Sequence, residues 1–197
     1  MPFLQVKEKL PEAGKGSMEK VLTPLEGVFL LKPRVFGDQR GFFLESYSQR
    51  MLAGLGIQTA FVQDNHSYSA RNVVRGLHYQ IRQAQGKLIR VVEGEIFDVV
   101  VDLRENSPTF GHWSGVVLSG ENKHMLWVPP GFAHGFGVAS EGAHVLYKAT
   151  DYYAPEWERT LAWNDPGLKI DWQLTGEAIV SAKDQAAALF RDAEKFR

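Results

Sequence analysis

The 197-residue sequence contains no cysteine. Disulfide bonds, zinc–thiolate centres and cysteine nucleophiles are therefore excluded. The sequence also lacks a run of about 18 apolar residues, which is the length that a membrane-spanning helix needs. Its N-terminal residues do not contain the apolar core of a signal peptide. We therefore expect a cytoplasmic protein that does not associate with membranes.

The sequence has almost no net charge, because 22 Lys and Arg residues balance 23 Asp and Glu residues. Nothing in this composition points to nucleic acid as a partner, so any site for an anionic ligand must be local. The length and the 44% hydrophobic content are those of one globular domain. Residues 1–20 are polar and contain Pro11, Gly14 and Gly16, which predicts a flexible extension before a single domain over residues 21–197.

Short apolar runs at intervals of roughly ten residues predict an all-β fold, a sandwich or a jelly-roll barrel. The clearest signal is LIRVVEGEIFDVVVDLR, in which two apolar runs are separated by Glu93 and Gly94 and the second run alternates with a period of two. Short helices complete the prediction. One follows Ser48 as its N-cap, and a C-terminal helix begins at about Lys183.

The stretch from Asn72 to Lys87 carries the residues that first indicate chemistry. It reads as a strand, a turn and a strand, with Arg75, His78 and Lys87 gathered around the turn. A histidine can take up a proton near neutral pH, and neighbouring cations can stabilise the enolate that remains after a proton leaves carbon. The alternative is a surface hairpin with solvated basic side chains.

Histidines inside a β-barrel also raise the possibility of a metal-dependent cupin. Such proteins carry two histidines two residues apart, then a glutamate, and later a third histidine. Here His134 fits the later position, but Gln80 stands two residues after His78, and Lys87 stands where a carboxylate is needed. A cation would oppose a bound metal ion. We therefore expect a cupin-like barrel that uses no metal and no other cofactor.

Longer blocks of sequence carry a resemblance to a known family. The chain resembles the nucleotide-sugar epimerases of deoxysugar biosynthesis, the dTDP-4-dehydrorhamnose 3,5-epimerase family, over about residues 25–190. The resemblance rests on FGDQRGFFLESY, FVQDNHS, RGLHYQ, QGKLIRVVEGEIFDVVVDLRENSPTFG, WVPPGFAHGF, LYKATDYY and SAKD. These blocks are long, ordered and spread over nearly the whole domain.

The resemblance implies a reaction and a set of partners. The family inverts carbons 3 and 5 of dTDP-4-dehydro-6-deoxy-D-glucose without a cofactor, giving dTDP-4-dehydro-L-rhamnose for dTDP-rhamnose biosynthesis. The 4-keto group makes the protons on both neighbouring carbons removable. Members of the family are also homodimers whose subunits exchange N-terminal strands. A dTDP-sugar and a second copy of the chain are therefore the expected partners.

The resemblance further implies a role for individual residues. His78 corresponds to the general base, and Asp184 to the aspartate that holds it. Lys87 corresponds to the lysine near the keto oxygen, and Tyr147 to the acid on the opposite face. Tyr153 matches an aromatic residue that stacks on thymine. The remaining substrate contacts correspond to Arg40, Glu45, Gln63, Asp64, Asn65, Arg75, His134, Glu158 and Lys183, of which Arg40 and Glu45 would act across the subunit boundary.

Alternatives remain open from the residues themselves. Ser181 and Asp184 also fit a capping box, with Asp184 at the third helical position instead of holding His78. Tyr147 fits a core tyrosine with a paired hydroxyl. At the level of function, the alternatives are an epimerase of one carbon only, a ketoisomerase acting on a dTDP-4-keto sugar, and a barrel that binds a nucleotide sugar without turning it over.

Overall fold

The computed structural model describes residues 18–197, and nearly all of its regular structure is β. The strands are β1 (Met18–Leu22), β2 (Phe29–Pro33), β3 (Val35–Asp38), β4 (Gly41–Leu44), β5 (Gln63–Ala70), β6 (Val74–Gln80), β7 (Lys87–Glu93), β8 (Glu95–Asp102), β9 (Trp113–Ser119), β10 (Met125–Val128), β11 (Phe132–Val138), β12 (Gly142–Ala149) and β13 (Glu158–Thr160). The helices are α1 (Gln49–Gly54) and α2 (Ala182–Gln185), with a 3₁₀ turn at Pro155–Trp157. Neither the helices nor this turn are long and apolar enough to cross a membrane. The all-β prediction is confirmed.

The strands form two facing antiparallel sheets and one separate hairpin. The six-stranded sheet has the order β1-β2-β10-β7-β12-β5, and the five-stranded sheet has the order β13-β6-β11-β8-β9. Strands β3 and β4 pair with each other in a two-stranded sheet of their own. Apart from the pairs β1–β2 and β8–β9, neighbouring strands in these two sheets are not consecutive in sequence, so long-range pairing assembles most of the interior.

The interior is apolar over much of its length. Ile89 and Val145 from the six-stranded sheet pack in one cluster with Val100 and Phe136 from the five-stranded sheet. The outer face of the five-stranded sheet is also covered, because residues 161–196 pack on it. Strand β8 therefore buries both of its faces, which explains why apolar residues such as Val99, Val100 and Val101 occupy consecutive positions in it.

The outer face of the six-stranded sheet is partly covered by α1. Leu52 of this helix packs with Leu31, Leu88 and Trp127 of the sheet. As predicted, Ser48 is the N-cap, and its side chain accepts a hydrogen bond from the backbone N–H of residue 51.

The predicted strand–turn–strand at Asn72–Lys87 is present, but it is not a hairpin. Strand β6 belongs to the five-stranded sheet and β7 to the six-stranded sheet, so the loop over residues 81–86 carries the chain from one sheet to the other. The surface-hairpin alternative is thereby excluded. The pair Glu93–Gly94 makes the return crossing between β7 and β8.

The predicted C-terminal helix is present as α2, but it is one turn long. Ser181 is its N-cap. The alanine-rich residues that follow do not continue the helix, because Ala188 forms backbone hydrogen bonds with Thr160 and Ala162 instead. Tertiary pairing with the five-stranded sheet thus overrides the helical propensity of this segment.

The predicted flexible N-terminal extension, residues 1–20, is wrong for its last three residues. Met18, Glu19 and Lys20 belong to β1 and pair with β2 of the same chain, with Val21 pairing with Leu30. Burial of Met18 and Val21 against the sheet explains this order. The rest of the predicted extension, residues 1–17, lies outside the described residues.

Gly94, where the chain passes from one sheet to the other, allows a prediction about the free energy of unfolding. Gly94 has φ +80°, and a Cβ at this position would lie 2.0 Å from the carbonyl oxygen of Gly142. Gly94→Ala should therefore lower the free energy of unfolding by about 1–3 kcal/mol in urea denaturation. Gly54→Ala is the matched control, because no heavy atom lies within 4 Å of its added Cβ. It should be neutral or stabilising by up to about 1 kcal/mol. Equal stability of the two variants would contradict the account of the crossing.

Candidate active site

A pocket of about 230 Å³ lies between the two sheets, at the polar end of the barrel interior. It contains most of the residues that the sequence predicted for the site. Those that line it are Gln63, Asn65, Arg75, His78, Lys87, His134, Tyr147, Tyr153 and Glu158. Lys183 and Asp184 reach it through the side chains that they contact, Glu158 and His78.

His78 is held from behind by Asp184. The Nε2 atom of His78 lies 2.7 Å from Oδ1 of Asp184, and Oδ2 of Asp184 accepts a hydrogen bond from the backbone N–H of Gly76 at 3.5 Å. The backbone N–H of Asp184 donates to the Ser181 hydroxyl at 3.2 Å. Ser181 therefore caps α2 through the backbone N–H of Asp184, while the Asp184 carboxylate contacts His78 and Gly76. Only the Ser181 half of the predicted capping box is observed, because the Asp184 side chain is directed to His78.

The charge state of Asp184 decides which nitrogen of His78 is basic. Burial alone raises the pKa of Asp184, but its hydrogen bonds to His78 and Gly76 outweigh burial, and the pKa lies below its ordinary value. An ionised carboxylate only accepts hydrogen bonds, so Nε2 of a neutral His78 carries the proton. The lone pair is then on Nδ1, the nitrogen that Asp184 does not hold.

Strand β6 can approach its neighbour closely because Gly76 has no side chain. Gly76 has φ +117°, and a Cβ there would lie 2.6 Å from Cα of Gly135 on β11. His78 and His134 are directly paired across β6 and β11. The close approach therefore places two histidines side by side on one wall of the pocket.

Lys87 is partly buried at the start of β7, in the sheet that faces His78. Burial lowers the pKa of Lys87 to about 8, and the negative charge of Glu158 opposes this shift. The ammonium group is therefore still largely charged at neutral pH, in surroundings of low polarity. Such a group stabilises negative charge that develops on a nearby oxygen more strongly than a solvated lysine would.

Tyr147 belongs to β12 of the six-stranded sheet, which lies between β7 and the edge strand β5. Burial raises the pKa of Tyr147; Arg75 opposes the shift, and Glu158 adds to it. The phenol is therefore protonated at neutral pH. His78 and Tyr147 come from facing sheets, so a ligand between them would meet a base on one side and an acid on the other.

The rim of the pocket contains a hydrogen-bonded cluster. The hydroxyl of Tyr153 donates to Oε2 of Glu158 at 2.7 Å, and Nζ of Lys183 lies 2.5 Å from Oε1 of Glu158. Burial raises the pKa of Glu158, but these two partners outweigh it and keep the pKa below its ordinary value. The hydrogen bond to Glu158 raises the pKa of Tyr153. Glu158 is therefore an anion that orders the rim.

Two further side chains offer donors to a ligand. Arg75 donates through Nε to the Ser69 hydroxyl at 2.8 Å and through one terminal nitrogen to the Tyr68 carbonyl at 3.2 Å. These contacts fix the orientation of the guanidinium group at the pocket. The amide oxygen of Asn65 accepts from Gln63 at 2.9 Å, whereas its buried amide nitrogen has no partner. An unpaired buried donor in a pocket wall is a natural contact for a ligand oxygen.

Asp98 belongs to this site, although the sequence analysis did not select it. It is fully buried, and Nε2 of His134 lies 2.9 Å and 3.0 Å from its two oxygens. Burial raises the pKa of Asp98, and His134 opposes the shift. The signal was visible in the sequence, because Asp98 interrupts the apolar run of β8 at an inward-facing position. A charge in such a position requires a buried partner.

The residue two positions after His78 also faces the pocket. Gln80 lines the pocket at the position where a metal-dependent cupin has its second histidine. Among residues 18–197, no group of three or more His, Asp or Glu side chains is arranged to hold a metal ion.

Besides Lys183, three of the predicted substrate contacts do not line the pocket. Arg40 lies in the turn between β3 and β4, where it pairs with Asp38 at 2.5 Å and its side chain is 89% exposed. Glu45 directly follows this hairpin. Asp64 points away from the pocket and pairs with Lys148 at 2.8 Å, because successive side chains of β5 alternate between the two faces of the sheet.

Comparison with known proteins gives one consistent result. The model of the family described as dTDP-4-dehydrorhamnose 3,5-epimerase matches residues 22–192. The enzyme of that name from Pseudomonas aeruginosa is 58% identical over 180 residues, which cover 91% of this chain and 99% of the relative. The enzyme from Salmonella typhimurium is 54% identical over 175 residues, covering 88% and 96%.

A solved structure agrees with these relatives. The crystal structure of dTDP-6-deoxy-D-glucose-3,5-epimerase from Legionella pneumophila, in complex with dTDP-4-keto-L-rhamnose, superimposes with a TM-score of 0.87. It is 50% identical, and the match covers 90% of this chain and 95% of that chain. The cupin-like jelly-roll fold predicted from the sequence is thereby confirmed.

Proposed function

The chain belongs to the dTDP-4-dehydrorhamnose 3,5-epimerase family, and we propose that it converts dTDP-4-dehydro-6-deoxy-D-glucose to dTDP-4-dehydro-L-rhamnose. The reaction inverts carbons 3 and 5 and serves dTDP-rhamnose biosynthesis. The observation that carries this proposal is the placement of His78, held by Asp184, on one sheet and a protonated tyrosine on the facing sheet, with the partly buried Lys87 at the same pocket.

The proposed chemistry uses side chains alone. Nδ1 of His78 removes the proton next to the 4-keto group, and the electron pair of the C–H bond moves into an enolate. The ammonium group of Lys87 stabilises the charge on the enolate oxygen. Tyr147 returns a proton from the opposite face, which inverts the carbon. Each inversion removes one proton and returns one, so no cofactor or metal ion is needed.

The nucleotide part of the substrate would bind at the rim. We assign the ring of Tyr153 to stacking on thymine, with Glu158 and Lys183 fixing its position. The guanidinium group of Arg75 suits a diphosphate, because its planar fork can donate two parallel hydrogen bonds. The unpaired amide donor of Asn65 suits a sugar oxygen.

We further propose that the active protein is a homodimer in which the β3–β4 hairpin reaches the partner's site. The hairpin pairs with neither large sheet of its own protomer. It carries Phe42 and Phe43, which are 62% and 68% exposed. Apolar exposure of this extent on a projecting element is characteristic of an interface. In such a dimer, Arg40 and Glu45 would complete the substrate site across the subunit boundary.

A cytoplasmic location forms part of the proposal. A nucleoside diphosphate sugar carries the negative charges of its diphosphate, so it does not cross a membrane unaided. An enzyme that acts on it must share the compartment in which it is made. Neither a membrane nor a nucleic acid is required as a partner for this reaction.

The direct test of the proposed function is proton NMR of dTDP-4-dehydro-6-deoxy-D-glucose with the protein in D₂O. Deuterium should appear at carbons 3 and 5, and the ring couplings should report inversion at both. Exchange at one carbon only would indicate the mono-epimerase alternative. Migration of the keto group would indicate a ketoisomerase, and binding without exchange would indicate a non-catalytic barrel.

His78→Ala should abolish exchange at both carbons, because one imidazole serves as the base for both. The same D₂O experiment measures this. His66→Ala is the matched control, since His66 is an exposed histidine on the outward face of β5. Exchange that continues at the wild-type rate at either carbon of the His78→Ala reaction would mean that another base acts there.

Tyr147→Phe should separate proton removal from inversion. His78 should still remove and return a proton on its own face, so deuterium should enter with retention of configuration. Inversion should slow by roughly 10²- to 10⁴-fold, as is typical for the loss of a general acid. Inversion of both carbons within a few-fold of the wild-type rate would show that Tyr147 only lines the pocket.

The pH dependence of kcat/KM should report the titration of Lys87. Its pKa of about 8 means that the ammonium group loses its proton as pH rises through this value. Activity should therefore fall above about pH 8, to roughly a tenth of its plateau one pH unit higher. In Lys87→Arg, the guanidinium group stays charged, so the alkaline decrease should move beyond about pH 10 whatever the absolute rate. A decrease that stays near pH 8 in this variant would assign it to another group.

The dimer proposal can be tested by sedimentation at micromolar concentration. The double variant Phe42→Ser and Phe43→Ser should shift the protein toward monomer and lower its activity, because it loses the apolar contact of the hairpin. Val117→Ser is the control, as Val117 is an exposed apolar side chain on β9. A wild-type protein that is monomeric and active would overturn the proposal.

A further inference from the structure

Gln80 is a buried polar residue whose side chain forms three hydrogen bonds with backbone groups. Its side chain lies at the end of β6, and the residue is 3% exposed. Its amide oxygen accepts a hydrogen bond from the N–H of Ala154 at 2.9 Å. Its amide nitrogen donates to the carbonyl of Gln83 at 2.7 Å and to the carbonyl of Tyr152 at 3.2 Å. Both N–H donors of this side chain are therefore used by the backbone of the same chain.

These partners define what Gln80 holds. The Tyr152 carbonyl belongs to the peptide bond before Tyr153, and the Ala154 N–H belongs to the peptide bond after it. The N–H of Tyr153 itself donates to the side chain of Gln63 at 3.0 Å. Three consecutive residues are thus fixed through their backbones, while the ring of Tyr153 at the pocket rim remains exposed, with 54% of the residue accessible.

The same region is joined to the loop over residues 81–86, which leads into β7. The N–H of Gly86 donates to the Thr150 hydroxyl at 2.7 Å, and the N–H of Thr150 donates to the Gly86 carbonyl at 3.0 Å. The side chain of Gln85 donates to the Asp151 carbonyl at 2.8 Å. Gln80 binds both loops at once, from the buried side, and is anchored in a strand of the five-stranded sheet.

We propose that Gln80 is a positioning residue that holds Tyr153 ready to receive the nucleobase of the substrate. This inference rests on the proposed function, because it assumes that Tyr153 contacts the base. An ordered aromatic ring loses less conformational freedom on binding than a mobile one, so its affinity is higher. The proposed chemistry occurs at His78, Lys87 and Tyr147, whereas the hydrogen bonds of Gln80 go to Gln83, Tyr152 and Ala154. Gln80 should therefore act on binding and not on turnover.

The test uses Gln80→Met, which keeps the length of the side chain and removes its hydrogen bonds. Calorimetric titration with dTDP should show a dissociation constant about three- to tenfold higher than that of the wild type. KM should rise by a similar factor, and kcat should stay within about twofold. In a Tyr153→Ala background, Gln80→Met should have no further effect, because the ring that it positions is gone.

A control separates positioning from general destabilisation. Ser119→Ala removes a buried side-chain-to-backbone hydrogen bond, to the N–H of Asn122, at the far end of β9. It should lower the melting temperature without changing the affinity for dTDP. Should Gln80→Met fail to fold, Gln80→Asn tests the same point, because the shorter amide cannot reach both loops.

A measurement without ligand distinguishes failure of this inference from failure of the proposed function. In protein labelled with 3-fluorotyrosine, the ¹⁹F resonance of Tyr153 is assigned by its loss in Tyr153→Phe. Gln80→Met should narrow this resonance and move it toward the position of free fluorotyrosine. Wild-type protein that does not bind dTDP would refute the proposed function. An unchanged ¹⁹F resonance, wild-type affinity in Gln80→Met, or a full effect that persists in the Tyr153→Ala background would overturn the role of Gln80.

Discussion

The hydrogen bond between His78 and Asp184 is the interaction on which the rest of the site depends. It joins residues 106 positions apart, one in a strand of the five-stranded sheet and one in the first turn of α2. The bond forms only when the C-terminal segment has packed on the outer face of that sheet. Completion of the fold and assembly of the proposed base are therefore the same event.

The two facing sheets supply what an inversion requires. A base and an acid on one strand would face the same side of a ligand and would only exchange a proton. His78 and Tyr147 belong to different sheets, and the interior between them is polar at one end and apolar at the other. Burial between the sheets lowers the pKa of Lys87, so the proposed charge stabilisation and the proposed proton transfer depend on the same packing of the two sheets.

Local patterns in the sequence predicted the strands well, because apolar alternation and turn residues are local signals. Patterns alone did not predict which sheet each strand joins. The two apolar runs on either side of Glu93 and Gly94 resemble a hairpin in sequence, yet β7 and β8 belong to different sheets. Which sheet each strand joins depends on pairing with strands that are distant in sequence. The helical propensity after Gln185 was overridden for the same reason, by the pairing of Ala188. Residue roles were clearest where a family resemblance existed. The backbone-holding role of Gln80 was not predicted, because Tyr152 and Ala154 are distant from it in sequence. Asp98 stands out as a charge in an apolar run, but its partner, His134, is also distant in sequence.

The most direct test of the central claim is the tautomer of His78, observed in long-range ¹H–¹⁵N NMR spectra of the wild-type protein under alkaline conditions. The resonances are assigned by their loss in His78→Asn. The account predicts a proton on Nε2, where Asp184 accepts it, and an unprotonated Nδ1 available to the substrate. In Asp184→Asn, this preference should weaken. A wild-type spectrum with the proton on Nδ1 would contradict the account, because the basic nitrogen would then face Asp184 instead of the substrate.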